Sequence, residues 1–308
     1  MSSLQLTLSM PTRIKSNPES YIKPLNMNRL EGRMLRLPIS HGNEILFVGD
    51  LGSDLEYWFG LIRALADFGT VTMPDLPGMG GMDSFYKIGK VPSIDSYSDY
   101  LASFFKLRFK RQRIIIVAVG FGFVVATRML ERYPSIKERV KMVISLAGYA
   151  DFEDFASNKF RLRIYALLAG ILRYRPLSIF VHPIILNEGM FRWLFLAKAD
   201  QSLSPGSLSQ FKFKLQRLAS MDKRSFAAIA YELSRFTNCG GRVDLPVWQV
   251  DLPSLFIDRN KTEQHLCVIF SGFYLLPLNR RVNRYPELRD KRSAAYYLPQ
   301  ALKQRLMS

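Results

Sequence analysis

The residues with the strongest chemical signature are Ala118-Val119-Gly120-Phe121-Gly122. They lie between the apolar run 114–117 and a helical pattern that begins at Val124. In a strand, sharp turn and helix of this kind, the pattern Gly-x-Ser-x-Gly presents its central serine hydroxyl as a nucleophile. Gly120 stands at that central position and has no side chain that could attack a substrate. We therefore predict that acyl transfer of the serine type cannot start at this turn.

Two further turns lie upstream, each after an apolar run. Phe47-Val48-Gly49-Asp50-Leu51-Gly52-Ser53 follows the first run, and Pro74-Asp75-Leu76-Pro77-Gly78-Met79-Gly80 follows the next. Together with the turn at Gly120, these segments resemble the His-Gly-x-x-Gly turn, the Asp-x-x-Gly-x-Gly turn and the nucleophile elbow of the α/β-hydrolase superfamily. The resemblance covers residues 44–305. It implies an α/β fold of the α/β-hydrolase type, with a mostly parallel central sheet flanked by helices and a helical cap inserted after the strand at 140–147.

The resemblance also implies an oxyanion hole, the set of backbone amides that stabilises negative charge in acyl transfer. Its counterparts in this chain are Gly49, Asp50, Leu51 and Phe121. A carboxylate of Asp50 that pointed into the hole would repel the charge developing there. We therefore expect the Asp50 side chain to face solvent or to pair with a basic residue.

In the family, the catalytic acid follows the strand after the cap. That strand corresponds here to Pro246–Val250 or to Pro253–Ile257, which leaves Asp251 or Asp258 at the acid position. Neither is followed by the family's Gly-x-x-Asp pattern. Both readings of each residue therefore stay open, the catalytic acid and an ordinary turn residue.

The general base of the family is a histidine after the last strand, which we predict at Leu266–Phe270. The positions shortly after it offer Phe273 and Arg284 but no histidine. An aromatic ring and a guanidinium that stays protonated cannot accept a proton from a nucleophile. The general base is therefore expected to be missing.

The chain contains three histidines, His41, His182 and His265. We interpret His41 and His182 as surface or packing residues. His265 is the residual candidate for a base, but it precedes the predicted last strand. Neither the histidines nor the two cysteines, Cys239 and Cys267, have metal-ligand spacing, so we expect no metal and no cofactor.

The spacing of apolar residues predicts the order of the strands and helices, and it divides the chain into four structural segments. An N-terminal extension with a lead-in strand occupies residues 1–43, the first half of the core 44–150, a helical cap 151–242, and the second half with a basic tail 243–308. Strands are predicted at 45–48, 70–73, 114–118, 140–147 and 243–250, and helices at 55–68, 94–105 and 124–133.

The charge of the chain bears on its partners. With 43 Lys and Arg against 26 Asp and Glu, the 308 residues carry a net charge of +17, which favours anionic partners. No apolar run reaches the roughly 18 residues of a membrane span, and no secretory signal is visible. We expect a cytoplasmic location, with peripheral contact to a membrane left open.

The functional hypothesis is a catalytically silent α/β-hydrolase-fold protein that binds a small apolar ligand or a protein partner. A working ester or amide hydrolase with rearranged residues is the first alternative, in which Ser145, Ser271 or an aspartate acts with His265. The second alternative is a basic scaffold whose C-terminal tail associates with an anionic membrane or with nucleic acid.

Overall fold

The computed structural model describes most of the chain. The described residues are 16–39, 42–110, 112–155, 157–195, 212, 214–236, 241–252, 257–278 and 290–307. The statements below concern these residues.

The strands form one eight-stranded sheet. They are β1 (Ile22–Met27), β2 (Leu30–Leu37), β3 (Asn43–Val48), β4 (Gly69–Pro74), β5 (Ile114–Val119), β6 (Val140–Leu146), β7 (Val243–Val250) and β8 (Phe270–Leu276). Their order across the sheet is β1-β2-β4-β3-β5-β6-β7-β8. Strands β3 to β8 run parallel, whereas β2 pairs antiparallel with both β1 and β4. The mostly parallel sheet that the sequence predicts is therefore confirmed.

Helices cover both faces of the sheet. They are α1 (Leu55–Leu65), α2 (Ile94–Arg108), α3 (Phe121–Arg132), α4 (Pro134–Lys137), α5 (Lys159–Leu172), α6 (Val181–Ile184), α7 (Glu188–Phe195), α8 (Lys223–Leu233), α9 (Arg259–Ile269), α10 (Lys291–Ala294) and α11 (Gln300–Met307). Helices α2, α3 and α9 contribute to the core on one face, and α1 and α11 to the core on the other.

The central strand β5 shows why a continuous apolar run becomes a strand in this chain. Ile114, Ile116 and Ala118 join the core on one face, while Ile115, Val117 and Val119 join the core on the other. Because crossover helices cover both faces of a parallel sheet, its strands are apolar at every position rather than at alternate ones. The carboxyl ends of β3 and β5 lie side by side, with Val48 paired to Ala118.

Two predictions about the elements need correction. The last strand is Phe270–Leu276 rather than Leu266–Phe270, because residues 259–269 form α9. Leu266 and Ile269 are buried three residues apart on that helix, the spacing of one helical face. At the N-terminus, the single lead-in strand is a hairpin of β1 and β2, joined at Asn28 and Arg29, which have φ of 55° and 65°.

Residues 151–242 are called the insertion here. Their described part is helical, with α5 to α8, a 3-10 helix at Leu177–Phe180 and helical residues at 214–219. Helix α5 packs on α8, and α8 reaches the turn after β4, where Ser225 Oγ lies 2.7 Å from Ser84 Oγ.

The turn after β4 contains a fully buried carboxyl group, that of Asp75. Its Oδ2 accepts hydrogen bonds from Arg33 Nε at 3.1 Å and from the Gly81 amide at 3.0 Å. Arg33 is shared with Glu56, at 2.6 Å. Burial outweighs these partners and raises the pKa of Asp75 from its ordinary 3.8 to about 7.

The raised pKa of Asp75 predicts a pH dependence of stability. The folded state binds the proton more tightly than the unfolded state, so the free energy of unfolding should fall as the pH rises from about 4 to about 7. Replacing Asp75 by Asn removes this contribution. Between about pH 5 and pH 8, urea unfolding should show the wild type losing about 2 kcal/mol relative to Asp75→Asn.

The control is Asp83→Asn in the same turn. A hydrogen bond from Lys87 lowers the pKa of Asp83, so its contribution changes only at more acidic pH. A wild type that gained stability relative to Asp75→Asn as the pH rose would mean that the ion pair to Arg33 dominates, and would contradict the prediction.

Candidate active site

The turn at Gly120 has the backbone of a nucleophile elbow. Strand β5 ends at Val119 and α3 begins at Phe121, so Gly120 alone makes the connection. Its φ of 49° and ψ of −116° lie in a region that residues with a side chain rarely adopt. The predicted turn is therefore present at the carboxyl end of a central strand, without a side chain at its tip.

Helix α3 begins without a cap of its own, unlike the helices before it. Asp54 accepts from the Tyr57 amide at the start of α1, and Ser93 accepts from the Ser96 amide at the start of α2. Gly120 offers no such oxygen to α3. The free amides at a helix N-terminus attract an acceptor, preferably an anionic one.

Asp50 supplies that acceptor from the turn after β3. Its Oδ1 accepts a hydrogen bond of 2.9 Å from the Phe121 amide, the first of α3. Its Oδ2 accepts one of 2.7 Å from Lys214 Nζ in the insertion. The expected pairing with a basic residue is thus observed, but the carboxylate is turned into the site and not toward solvent, with 18% of the side chain exposed.

The Asp50 carboxylate takes the places of both an oxyanion and a nucleophile. The Phe121 amide, which the resemblance assigns to the oxyanion hole, is bonded to Asp50. A Cβ atom added at Gly120 would lie closer to Asp50 Oδ1 than unbonded heavy atoms approach. A side chain at position 120 and the present Asp50 conformation therefore exclude each other.

The remaining turn residues bring β3 and α3 close together. A Cβ atom at Gly122 would overlap the carbonyl oxygens of Val48 and Gly49. Leu51 is partly buried and packs on the core. The close approach of the two turns, which only glycine at 122 permits, places Asp50 within reach of the helix.

The insertion covers this turn. Besides Lys214, Arg217 forms an ion pair of 2.8 Å with Asp54 and lies over the Tyr57 ring at 4.0 Å. A Cβ atom at Gly52, where φ is 73°, would meet the Arg217 carbonyl at 2.9 Å. Helical residues 214–219 thus pack directly on the turn that carries Asp50.

The two candidate acids have structural partners. Asp251 follows β7 directly and pairs with Arg259 at 2.9 Å. Asp258 caps α9, accepting from the amides of Asn260 and Lys261. Neither has a hydrogen bond to the elbow among the described residues.

The structure describes some of the positions that were considered for a general base, and others lie outside the described residues. Phe273 lies within β8, not in a loop after the last strand, and its ring is partly buried against the core. Arg284 and His41 lie outside the described residues. His182 lies on α6, with Nε2 at 3.0 Å from the Ala219 carbonyl, which agrees with a packing role.

His265 forms an acid–imidazole pair. Its Nδ1 lies 2.6 Å from Asp154 Oδ1, and Asp154 is fully buried in the segment after β6. The other carboxylate oxygen accepts from the Ala150 and Asp151 amides at 2.7 and 3.1 Å. Burial raises the pKa of Asp154, although these donors and His265 act in the opposite direction. The pair resembles the acid and base of a triad, without a nucleophile bonded to it among the described residues.

Tyr149 lies within electrostatic range of both carboxylates. Its burial raises the pKa of the phenol well above the ordinary value of 10, and the charges of Asp50 and Asp154 add to the rise. The phenol therefore stays protonated at neutral pH, when it can donate a hydrogen bond but cannot act as an anionic nucleophile.

The alternative serine nucleophiles are not paired with His265. Ser145 lies on β6 opposite Ala118, is fully buried, and its Oγ has no hydrogen-bond partner among the described residues. Ser271 is exposed at the start of β8, and therefore at the amino edge of the parallel sheet, away from the elbow.

Sequence reasoning missed two of the residues that shape the site. Asp154 lies in an acidic segment after β6, and this cluster is a signal that could have drawn attention to it. Lys214 has no comparable signal, because 164 positions separate it from Asp50.

An open cleft lies in the insertion, apart from the elbow. Its volume is about 550 Å³, and it is lined by Ile164, Pro183, Ile184, Asn187, Gly189, Met190 and Trp193. The lining is mostly apolar and includes no residue of the turns after β3, β4 or β5. Volumes of this size are typical of small-molecule sites.

The described residues contain neither a metal-binding cluster nor a membrane-spanning helix. No group of three or more His, Cys, Asp or Glu side chains there could hold a metal ion. No helix in that part of the chain combines the length and the apolar character needed to cross a bilayer.

No protein-family model and no curated protein matches this sequence. Solved structures do match. A putative epoxide hydrolase from Pseudomonas aeruginosa has a TM-score of 0.61 at 15% identity, covering 93% of this chain and 97% of the other. The enol-lactonase from Burkholderia xenovorans LB400 has a TM-score of 0.60 at 14% identity, covering 88% and 96%.

A third match is the bottromycin epimerase BotH, solved in complex with bottromycin A2. Its TM-score is 0.57 at 15% identity, with 92% of this chain and 98% of the other covered. At these identities the matches establish the fold alone. The chain has the α/β-hydrolase fold, as its three turns predicted.

The overlap between position 120 and Asp50 predicts an energetic coupling. Gly120→Ala should lower the free energy of unfolding by more than the roughly 1 to 3 kcal/mol of backbone strain, because its methyl group meets the carboxylate. In an Asp50→Ala background, only the strain remains. Urea unfolding is measured for the wild type, the two single variants and the double variant. We expect the double variant to lose at least about 1 kcal/mol less stability than the sum of the two single losses.

Gly122→Ala is the matched control. Its methyl group meets the backbone of Val48 and Gly49 and not a side chain, so Asp50→Ala should leave its cost unchanged. Equal costs of Gly120→Ala with and without Asp50 would show that the carboxylate does not occupy the place described.

Proposed function

We propose that this α/β-hydrolase-fold protein is catalytically silent and binds a small apolar ligand through its insertion. One observation carries the first half of the proposal: the Asp50 carboxylate accepts the hydrogen bond of the Phe121 amide. An amide already bonded to an anion has no free proton to offer to a developing oxyanion.

The chemistry of the site supports the absence of catalysis in two further ways. Gly120 provides no nucleophile, and Lys214 neutralises the carboxylate that has taken its place. Asp50 could in principle attack a substrate itself, as an aspartate working with a distant base. Its two oxygens, however, are held by the Phe121 amide and Lys214, which compete for the lone pairs that an attack requires.

The cleft in the insertion supports ligand binding. It is apolar, of suitable volume and separate from the elbow, so binding there needs no catalytic group. Residues 151–242 would then act as a cap whose own surface binds the ligand. Lys214 and Arg217 attach this cap to the core through their ion pairs with Asp50 and Asp54.

A rearranged hydrolase is the second candidate, and the Asp154–His265 pair is the observation that favours it. A buried carboxylate that orients an imidazole is the arrangement of a catalytic general base. The candidate lacks a hydroxyl bonded to His265 among the described residues. Ser145, on β6 beside β5, has a buried hydroxyl without a hydrogen-bond partner among the described residues.

We expect purified protein to leave short-chain p-nitrophenyl esters unhydrolysed above the buffer rate and to resist labelling by a fluorophosphonate probe. The reason is that no hydroxyl among the described residues is hydrogen-bonded to an imidazole. Gly120→Ser should not restore either signal, because its side chain meets Asp50.

The variants His265→Ala and Ser145→Ala separate the two candidates. Activity of the wild type that disappears in either variant, while the folded state persists by circular dichroism, would replace the silent scaffold by the rearranged hydrolase. Activity that survives both variants would also contradict the silent scaffold and would assign catalysis to another group.

For the ligand, we expect the fluorescent fatty acid cis-parinaric acid to bind and to be displaced by unlabelled fatty acid. Ile184→Asp places a charge in the cleft and should weaken binding by about tenfold or more, because a buried unpaired charge is costly. Val268→Asp on α9, where Val268 is 75% exposed, should leave binding unchanged. Equal affinities for the wild type and Ile184→Asp would exclude the cleft as the site.

A further inference from the structure

The exposed apolar side chains of this protein are concentrated on the insertion. Among the described residues, fourteen large apolar or aromatic side chains are exposed, and eight of them lie between residues 160 and 193. We call these eight the apolar patch: Phe160, Leu167, Ile171, Tyr174, Leu177, Ile179, Phe180 and Trp193. Single exposed apolar residues need no explanation, but a concentration of this kind marks an interaction surface.

Helix α5 has two apolar faces. The inner face is buried and includes Leu162, Ala169 and Leu172, and the helix packs on α8. Phe160, Leu167 and Ile171 recur at intervals of seven and four on the opposite face, where Phe160 and Leu167 are 67% and 64% exposed. The inner face suffices to hold the helix on the protein, so folding does not account for the outer one.

The rest of the patch lies on elements that contact α5. The 3-10 helix Leu177–Phe180 and helix α7 both contact α5. Arg161 Nη1 donates to the Trp193 carbonyl at 2.7 Å, and its guanidinium lies 5.0 Å from the Trp193 ring centre. Aliphatic, aromatic and guanidinium groups are therefore combined on neighbouring elements.

The charge around the patch is predominantly positive. Residues 157–195 contain six Lys or Arg and a single acidic residue, Glu188. Arg161 and Arg163 flank the outer stripe of α5 on its two sides. Arg163 and Arg175 are exposed and form no ion pair with any described residue. An apolar surface with unneutralised arginines complements an apolar partner with an anionic rim.

We propose that the apolar patch docks this protein on the surface of an anionic membrane. Leucine, isoleucine and phenylalanine enter the boundary between headgroups and acyl chains, where Trp193 and Tyr174 also fit, and arginines meet the lipid phosphates. Nucleic acid would use the arginines but offers no apolar phase for Leu167 or Ile179, which is 60% exposed. The lipid surface is the partner that uses both components.

The docking surface is separable from the proposed ligand site. Trp193 is the residue of the patch that also lines the cleft. Membrane binding does not depend on catalytic silence, because no residue of the elbow belongs to the patch. Ile184→Asp therefore tests the cleft, and substitutions at Leu167 and Ile179 test the docking surface.

The test is flotation of the full chain with vesicles of phosphatidylcholine alone or with about a third phosphatidylglycerol. We expect binding to the anionic vesicles, weakened by about tenfold or more in Leu167→Asp combined with Ile179→Asp. Val268→Asp is the control for each single aspartate substitution, because it places one carboxylate at an exposed apolar position on α9. Thermal unfolding of each variant is measured to check that it is folded.

Charge reversal separates the patch from the basic C-terminal segment. Arg163→Glu with Arg175→Glu should weaken anionic vesicle binding by about tenfold or more, since each basic residue near the surface contributes about 1 kcal/mol. Arg292→Glu, on α10 outside the patch, should have a smaller effect. A loss caused by Arg292→Glu alone would assign binding to the C-terminal segment and overturn the proposal.

Trp193 reports insertion directly. Brominated lipids should quench its fluorescence on vesicle binding, and the quenching should be lost in Trp193→Phe, because Trp58 is 5% exposed and Trp248 is stacked on Tyr274. No vesicle binding, binding insensitive to the aspartate substitutions, or duplex DNA binding in place of lipid binding would each overturn the proposal. Capture by an acidic protein with no affinity for vesicles would overturn it equally.

Discussion

A helix that starts directly after a buried parallel strand needs an acceptor for its first amides, and this requirement organises the centre of the molecule. In an α/β-hydrolase elbow the same amides serve a transient oxyanion. Here the Asp50 carboxylate accepts the hydrogen bond of the Phe121 amide. The interaction resembles an N-cap contributed by a distant turn, since Gly120 cannot supply one. Its partner Lys214 then ties the insertion to the same point.

The same geometry links the absence of a side chain at position 120 to a structural contact. Glycine at 120 relieves the strained turn and also leaves the space that the Asp50 carboxylate fills. The Asp50 contact without the glycine would be unfavourable, because a side chain at 120 and the carboxylate overlap. In the described part of the chain, the insertion carries a cleft of about 550 Å³ and an apolar outer face flanked by arginines.

Sequence alone predicted the parts of this fold that depend on local pattern. Val243–Val250 was predicted with its observed bounds, and β3 to β6 within two residues, because buried parallel strands are short apolar runs between turns. The prediction of the last strand was wrong because α9 continues into β8 at Phe270, without a loop to separate the helical pattern from the strand pattern. The pairs Asp50–Lys214 and Asp154–His265 were beyond prediction, since they join residues 164 and 111 positions apart.

The most direct measurement is a crystal structure of the protein grown with a high concentration of chloride or a small phosphonate. If the carboxylate is the resident anion of the elbow, Asp50 Oδ1 will lie about 2.9 Å from the Phe121 nitrogen and no added anion will be present there. An Asp50 side chain turned to solvent, with chloride, phosphonate or water on the Phe121 amide, would contradict the account and leave the oxyanion site open for chemistry.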